Sequence, residues 1–337
     1  MNVIAYTGKE DVAVVYIVEM NEGKLAECVE AVQPPYPREK KWVLLVSTMF
    51  GCPVGCKMCD AGGFYEGKIS AEEILEQIDF LVRKHYKDGR IPSQQFKIQF
   101  ARMGEPALNP AVLTVLEKLP QIYHAPGLMP SISTVAPIGT ERFFERLAQI
   151  KQELYPNGNF QLQFSLHTTD EKLRDEIIPV RKLSFQKMAF LGNQFFAPGD
   201  RKITLNFALA SAMPVDPEVL LNYFSIERYL IKITPLNPTY RAVESQLASY
   251  IDPEQDAESY EVVRALKNAG YQVIVSIGEE EENRIGSNCG QYIRRHLNAK
   301  YPIQEGYTYP VLSIQTPFGK SSDQDMESTL MNQGDLQ

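Results

Sequence analysis

Six times between residues 42 and 269 a short apolar run rich in β-formers gives way to a helical pattern, and this alternation limits the fold more than any other feature of the chain. The β-rich runs are 42–47, 96–101, 131–134, 161–166, 202–209 and 229–234. The helical patterns fill 71–85, 111–119, 140–154, 185–195, 217–224 and 254–269. The first helix is the best marked: Ser70 and Glu73 make a capping box, and Ile74, Ile78, Leu81 and Val82 share one face. Repeated β-then-α units predict an α/β protein with a parallel sheet and outer helices, either a curved partial barrel or an open doubly wound sheet. In both, ligands sit at the C-terminal ends of the strands.

Ahead of this series, 12–18 and 24–32 alternate as strands do around Asn21-Glu22-Gly23, which predicts a hairpin. Behind it, 316–337 is polar and aperiodic, as a mobile tail would be. The N-terminus has no basic stretch leading into an apolar core, and no apolar run would span a bilayer. Five cysteines, three within eight residues, suit a reducing compartment, so a cytoplasmic protein without membrane contact is expected. The formal charge of -8 argues against a surface that grips a long phosphate backbone.

Cys52, Cys56 and Cys59 stand in the spacing C-x3-C-x2-C, in a glycine-containing loop just past the first core strand. Three thiolates so placed reach three irons of a [4Fe-4S] cubane and leave the fourth without a protein ligand. In radical S-adenosylmethionine (SAM) enzymes the amino and carboxylate groups of SAM fill that vacancy, and an electron from the cluster cleaves the sulfonium to a 5'-deoxyadenosyl radical. A zinc knuckle needs a fourth ligand, and His85, His124, His167 and His296 all lie outside the short spacing it uses. An iron-sulfur protein that only carries electrons ordinarily supplies four cysteines.

Further motifs follow in order: Met103-Gly104-Glu105-Pro106 with Leu108-Asn109, Ser165-Leu166-His167 with Arg174-Asp175-Glu176, Pro235-Leu236-Asn237-Pro238, and Asn288-Cys289-Gly290-Gln291. Together with the cysteine loop they resemble the radical SAM adenine methylases of ribosomal RNA, the RlmN/Cfr group, over roughly residues 42–295. The resemblance implies a partial (β/α)6 radical SAM barrel at 42–300, a β-hairpin extension at 1–41 and a C-terminal tail at 301–337. It implies a [4Fe-4S] cluster on Cys52, Cys56 and Cys59, and SAM as the second cofactor. A reductant protein of flavodoxin or ferredoxin type would be the partner.

The resemblance also assigns roles to single residues. Gly104 lets backbone approach SAM, and the Glu105 carboxylate pairs with the methionine ammonium. Ser133, Ser165, Leu166 and His167 hold the ribose, adenine and carboxylate, while Asn237 reaches the adenosyl part. Alone, Gly104-Glu105-Pro106 is a common turn, and Ser133 and the 165–167 stretch read as polar groups satisfied at strand ends. Cys289, alone, reads as a small buried hydrophobe. In the family the matching cysteine is first methylated on sulfur by one SAM. The radical from a second SAM removes hydrogen from that methyl, and the carbon radical adds to an sp2 carbon of the substrate.

Two departures bear on mechanism. The ribosomal methylases carry a resolving cysteine seven residues before the first cluster cysteine, where this chain has Leu45. Cys28 is then the remaining thiol in the chain. Only 51 residues precede Cys52, and the bacterial enzymes place a helical RNA-contacting domain ahead of the hairpin. The expectation is a radical SAM methyltransferase-like enzyme acting through S-methyl-Cys289 on a small or non-ribosomal substrate. The alternatives are an RNA adenine methylase and a non-catalytic iron-sulfur scaffold.

Overall fold

The structure is a computed structural model that describes residues 1–278, 280–288, 291–299, 301–303 and 306–314. Its strands are β1 (Asn2–Lys9), β2 (Ala13–Glu19), β3 (Leu25–Val32), β4 (Lys41–Val46), β5 (Met49–Gly51), β6 (Tyr65–Lys68), β7 (Gln95–Phe100), β8 (Leu128–Thr134), β9 (Gln161–Ser165), β10 (Ile203–Leu209), β11 (Tyr229–Pro235), β12 (Val273–Val275) and β13 (Leu312–Ser313). The helices are α1 (Ala71–His85), α2 (Ala111–Ile122), α3 (Glu141–Leu154), α4 (Glu171–Ile177), α5 (Phe185–Phe195), α6 (Pro217–Leu221), α7 (Tyr240–Glu244), α8 (Glu261–Asn268) and α9 (Glu280–Ile285). No helix among the described residues is long and apolar enough to cross a membrane.

One sheet holds eleven strands in the order β12-β11-β10-β9-β8-β7-β4-β3-β2-β1-β13, and β5 and β6 form a separate ladder. From β4 to β12 all neighbours are parallel, whereas β4, β3, β2, β1 and β13 pair antiparallel. The sheet is mixed and stays open, with β12 and β13 at its edges. The expected hairpin is present as β2 and β3. Five strands escaped the sequence reading: β5, β6 and β13 are short, β1 makes the extension a three-stranded meander, and β12 adds a seventh parallel strand. The last two are explained by weak local signals, since β1 is half exposed along much of its length and β12 is three residues long.

Alternation divides the sheet into two chemically different faces. Trp42, Leu44, Val46, Phe96, Ile98, Phe100, Phe164, Leu205, Ile231 and Ile233 turn to the helices and make the main core. α1 carries the capping box expected from Ser70 and Glu73 and lays Ile74, Ile78, Leu81 and Val82 into that core. Burial of each such aliphatic side chain contributes about 1.5–3 kcal/mol. Trp42 is fully buried and stacks on Phe96 at 5.1 Å between ring centroids.

Among the described residues the opposite face is covered only in part. Residues of the C-terminal segment, including Ile285, Tyr292, Ile293, Ile303 and Tyr307, pack there on Ala13, Val15, Ile17, Val29 and Ala31 of the meander. A buried ion pair fastens them: Glu27 of β3 accepts from Arg102 Nε at 2.9 Å and Nη2 at 2.5 Å, with both side chains essentially inaccessible. The Arg102 Nη1 donates to the carbonyls of Gly286 and Ser287 at 3.0 Å each. The other Glu27 oxygen accepts from the backbone N–H of Tyr292 at 2.5 Å and of Ile293 at 3.0 Å.

Removing one partner leaves a charge buried without compensation. Arg102→Met is expected to lower stability by about 3–5 kcal/mol. Replacing both partners, as Glu27→Leu with Arg102→Met, should cost less than the single change, and urea unfolding of the two variants reads the difference.

Candidate active site

Past β4 the chain enters β5 and then the cysteine loop. The Cys52 N–H donates to Phe64 O at 3.0 Å, Cys59 N to Cys56 O at 3.2 Å, and Gly62 N to Cys59 O at 3.1 Å, so the loop closes on itself. Glycine is required at the closure: Gly51 has φ +80°, and a Cβ there would stand 2.2 Å from Phe64 O. At Gly62 a Cβ would stand 2.8 Å from the Cα of Gly55.

Distant segments hold the loop's carbonyls. Arg241 of α7 donates from Nε to Cys56 O and from Nη2 to Gly55 O, both at 2.9 Å. Thr239 Oγ1 donates to Met58 O at 2.9 Å and Ser245 Oγ to Lys57 O at 3.1 Å. Lys57 N donates to Ile177 O at 2.9 Å, which ties the loop to α4. Asp60 is buried and accepts from the N–H groups of Tyr240 at 3.1 Å and Arg241 at 2.9 Å and from the Tyr307 hydroxyl at 3.0 Å. Thr239, Tyr240, Arg241 and Ser245 did not stand out in the sequence, because each lies some 180 residues or more from the loop it holds. Asp60 alone had a local signal, its place beside Cys59.

The thiols suit an iron-sulfur cluster. Burial, followed by the nearby Cys59, pushes the Cys52 thiol up to about 12, and burial with Cys59 and Cys52 pushes the Cys56 thiol well above the usual range. Adjoining buried thiols therefore resist ionising on their own, and a cationic iron cluster would supply the compensating charge. Backbone N–H groups of Val54 and Gly55 already point at the Cys52 sulfur. Among the described residues no three His, Cys, Asp or Glu side chains close on a single metal ion. A cubane, in contrast, spreads three thiolates over three separate irons.

Because β4 and β7 to β11 run parallel, the residues that follow them meet at one edge of the sheet. Glu105 follows β7 and is buried, with one oxygen accepting from Ala107 N at 3.0 Å and the other from Val135 N at 2.9 Å beyond β8. Burial raises its pKa to about 7, and its charge is felt at both Cys52 and Cys56. Gly104 has φ +98°, and a Cβ there would stand 2.6 Å from Met49 Cβ, so this glycine serves packing on β5.

Ser133 ends β8 with its hydroxyl 3.0 Å from Gln163 Nε2. Ser165 ends β9, and its carbonyl accepts from Arg174 at 3.3 Å. Leu166 is fully buried, and Asn237 is half-buried just past β11. His167 has φ +65° and accepts at Nδ1 from Ala208 N at 3.0 Å, which leaves Nε2 as the protonated nitrogen. Arg174 is buried over the Phe185 ring, with Nε lacking any partner. Cys289 and Gly290 lie outside the described residues, as does the polar tail expected at 316–337.

Leu45 faces the same side as Cys52, Cys59 and Ile293, so hydrocarbon occupies the position at which the resemblance would place a resolving thiol. Cys28 cannot take over that task. It sits one residue before Val29, the partner of Leu45, and so points to the helix-covered face, where it is fully buried. Burial raises its pKa far above the thiol range.

The comparisons agree with this fold. A protein named probable dual-specificity RNA methyltransferase RlmN from Desulfitobacterium hafniense is 28% identical over 81% of this chain and 74% of its own length. One of the same name from Thermus thermophilus is 30% identical over 59% of this chain and 53% of its own length. The ribosomal RNA large subunit methyltransferase N of Nitrosopumilus maritimus is 25% identical over 82% of this chain and 75% of its own. A crystal structure of a radical SAM methyltransferase from Sphaerobacter thermophilus superposes with a TM-score of 0.64 at 20% identity, covering 86% of this chain and 81% of that one. No family model matches.

The His167 imidazole carries a pH signature. Burial, with a smaller effect of Arg174, lowers its pKa from 6.5 to about 4. Above 6.5 the ring is neutral folded and unfolded, and its contribution to stability is complete; between 6.5 and about 4 the unfolded chain takes a proton that the folded chain refuses. Stability is therefore lost as pH falls through that window. His167→Asn, which keeps an acceptor for Ala208 N, should show a smaller loss over the same range in urea unfolding.

Proposed function

We infer that this homologue of the RlmN radical SAM methyltransferases transfers a methyl-derived carbon to an sp2 carbon of its substrate, with Cys289 as the methyl carrier. The observation that carries the reading is the gathering of the cysteine loop, Glu105 and the His167 turn, far apart in sequence, at one edge of the parallel sheet. When bound, the [4Fe-4S] cluster supplies the electron that splits SAM into methionine and a 5'-deoxyadenosyl radical.

Cys52, Cys56 and Cys59 would hold the cluster, and the bonds from Arg241, Thr239 and Ser245 keep the loop that carries them in one shape. Glu105 would exchange its two backbone donors for the methionine ammonium, a stronger charge-assisted partner. Ser133, Ser165, Leu166, His167 and Asn237 would line the adenosyl and carboxylate positions, with His167 offering the Nε2–H as donor. The Cys289 thiolate would take the methyl from sulfonium sulfur and leave S-adenosylhomocysteine. The Glu27–Arg102 pair supports that role, because it anchors the chain at 286–287 and again at 292–293. With Leu45 at the resolving position and Cys28 on the far face, release of a covalent adduct would fall to a thiol from solution.

Two substrate readings remain. The formal charge of -8 favours a small substrate. The relatives named as RNA methyltransferases favour an adenine ring in RNA. Binding to RNA that weakens steeply with salt, leaving a methyl on adenine, would select the second.

Cys289→Ala should still form 5'-deoxyadenosine from SAM yet carry no protein-bound methyl and yield no methylated product, as read by peptide mass spectrometry beside nucleoside analysis. Methylated product from this variant at the parental rate would remove the carrier role. Glu105→Gln should weaken SAM binding about 10- to 100-fold, the loss expected for one charge-assisted hydrogen bond. Equilibrium dialysis with labelled SAM measures it.

A further inference from the structure

The sheet face opposite the helices is polar wherever the described residues of the C-terminal segment leave it uncovered. Register puts Val43, Lys97 and Met129 in one row, and Leu45, Gln99, Ser131 and Gln161 in the next. Gln163, Thr204 and Leu230 form another, followed by Ser165, Asn206, Lys232 and Ile274. Lys41 shares the parity of Val43. Three lysines from β4, β7 and β11 thus project from one face, among amides and hydroxyls. No Asp or Glu stands at the inward positions of these strands.

Lys97 is the least accommodated of them. It is half-buried, and its electrostatic neighbours are all cations: Lys232, Lys41 and Arg201. Lys41 is better served, since its ammonium donates to Gln33 and feels Glu282. Burial first, then those three cations, lower the Lys97 pKa to about 7. No carboxylate pairs with Lys97 among the described residues. A half-buried ammonium among cations is a poor structural element, because burying a charge without a partner is costly. It becomes a favourable one when an anion arrives.

We propose that Lys97, with Lys41 and Lys232 beside it, forms a site on the helix-free face for an anionic group of the substrate, a phosphate or a carboxylate. Gln99, Gln163 and Asn206 supply neutral hydrogen bonds around it. The proposal rests on the enzymatic reading above for the word substrate, and on the strand register for the site. It narrows the substrate to molecules that combine an sp2 carbon with a negatively charged group.

The test uses full-length protein with its cluster reconstituted anaerobically and SAM present. A brief pulse of acetic anhydride labels neutral amines, and peptide mass spectrometry reads Lys97 with and without inorganic pyrophosphate or malonate. Either anion should protonate and shield Lys97, slowing its labelling about tenfold. Protection by pyrophosphate alone identifies a phosphate site, and by malonate alone a carboxylate site. Labelling that neither anion slows overturns the proposal.

A second measurement guards against a change in folding. Calorimetric affinity for the protecting anion should fall about tenfold in Lys97→Met and be largely kept in Lys97→Arg. Equal affinity in Lys97→Met overturns the site. Parental protein that forms 5'-deoxyadenosine but shows no protection defeats only the anion site. Protein that shows protection but cleaves no SAM defeats only the enzymatic reading.

Discussion

A carboxylate and a guanidinium, neither with access to water, join three parts of the chain that lie far apart in sequence. Glu27 belongs to the antiparallel meander, Arg102 follows the second parallel strand, and their remaining bonds take up both ends of the stretch from Gly286 to Ile293. A buried pair of this kind adds little net stability over a hydrophobic contact, since desolvation consumes most of the attraction. What it adds is specificity: four backbone groups are satisfied only when the C-terminal segment lies in one place. The meander is therefore part of the site's framework, because it carries one half of the lock.

The cysteine loop obeys the same logic at shorter range. A loop that must present three thiols has few regular backbone bonds, so its carbonyls need partners from elsewhere. Arg241, Thr239 and Ser245 provide them from beyond β11, and Asp60 returns the favour by accepting from Tyr240 and Arg241. The loop and the α7 region thus stabilise each other across the open edge of the sheet. Electrostatics point the same way, since crowded buried thiols and a raised Glu105 both describe a site waiting for positive charge.

Much of the fold was readable before the structure. The six parallel strands, the first helix with its capping box and the β2–β3 hairpin all follow from alternation, helical period and turn residues, which are local properties. β1 and β12 were missed because their pattern is weak and their place comes from pairing. The long helical pattern at 254–269 is broken into a short 3-10 turn, capped at its start by Asp256, and α8, with the extended backbone of Tyr260 between them. Among site residues, Glu105 and His167 announced themselves by motif. Arg174 stood in the same motif series, whereas Arg241 and Glu27 did not, since an arginine or glutamate in a helix or strand ordinarily reads as surface.

By itself the sequence determined which side chains are offered for the proposed cluster and its ligand, because three cysteines in C-x3-C-x2-C and a glycine-glutamate pair after a strand are set by short spacings. It determined as well that position 45 offers no thiol. Only the tertiary structure decided that Cys28 is no substitute. A residue's face depends on strand register, and one step along β3 carries Cys28 into the helix-covered core while Val29 stays beside Leu45. The same parity brought Lys97, Lys41 and Lys232 to one face, a grouping with no trace in the linear order.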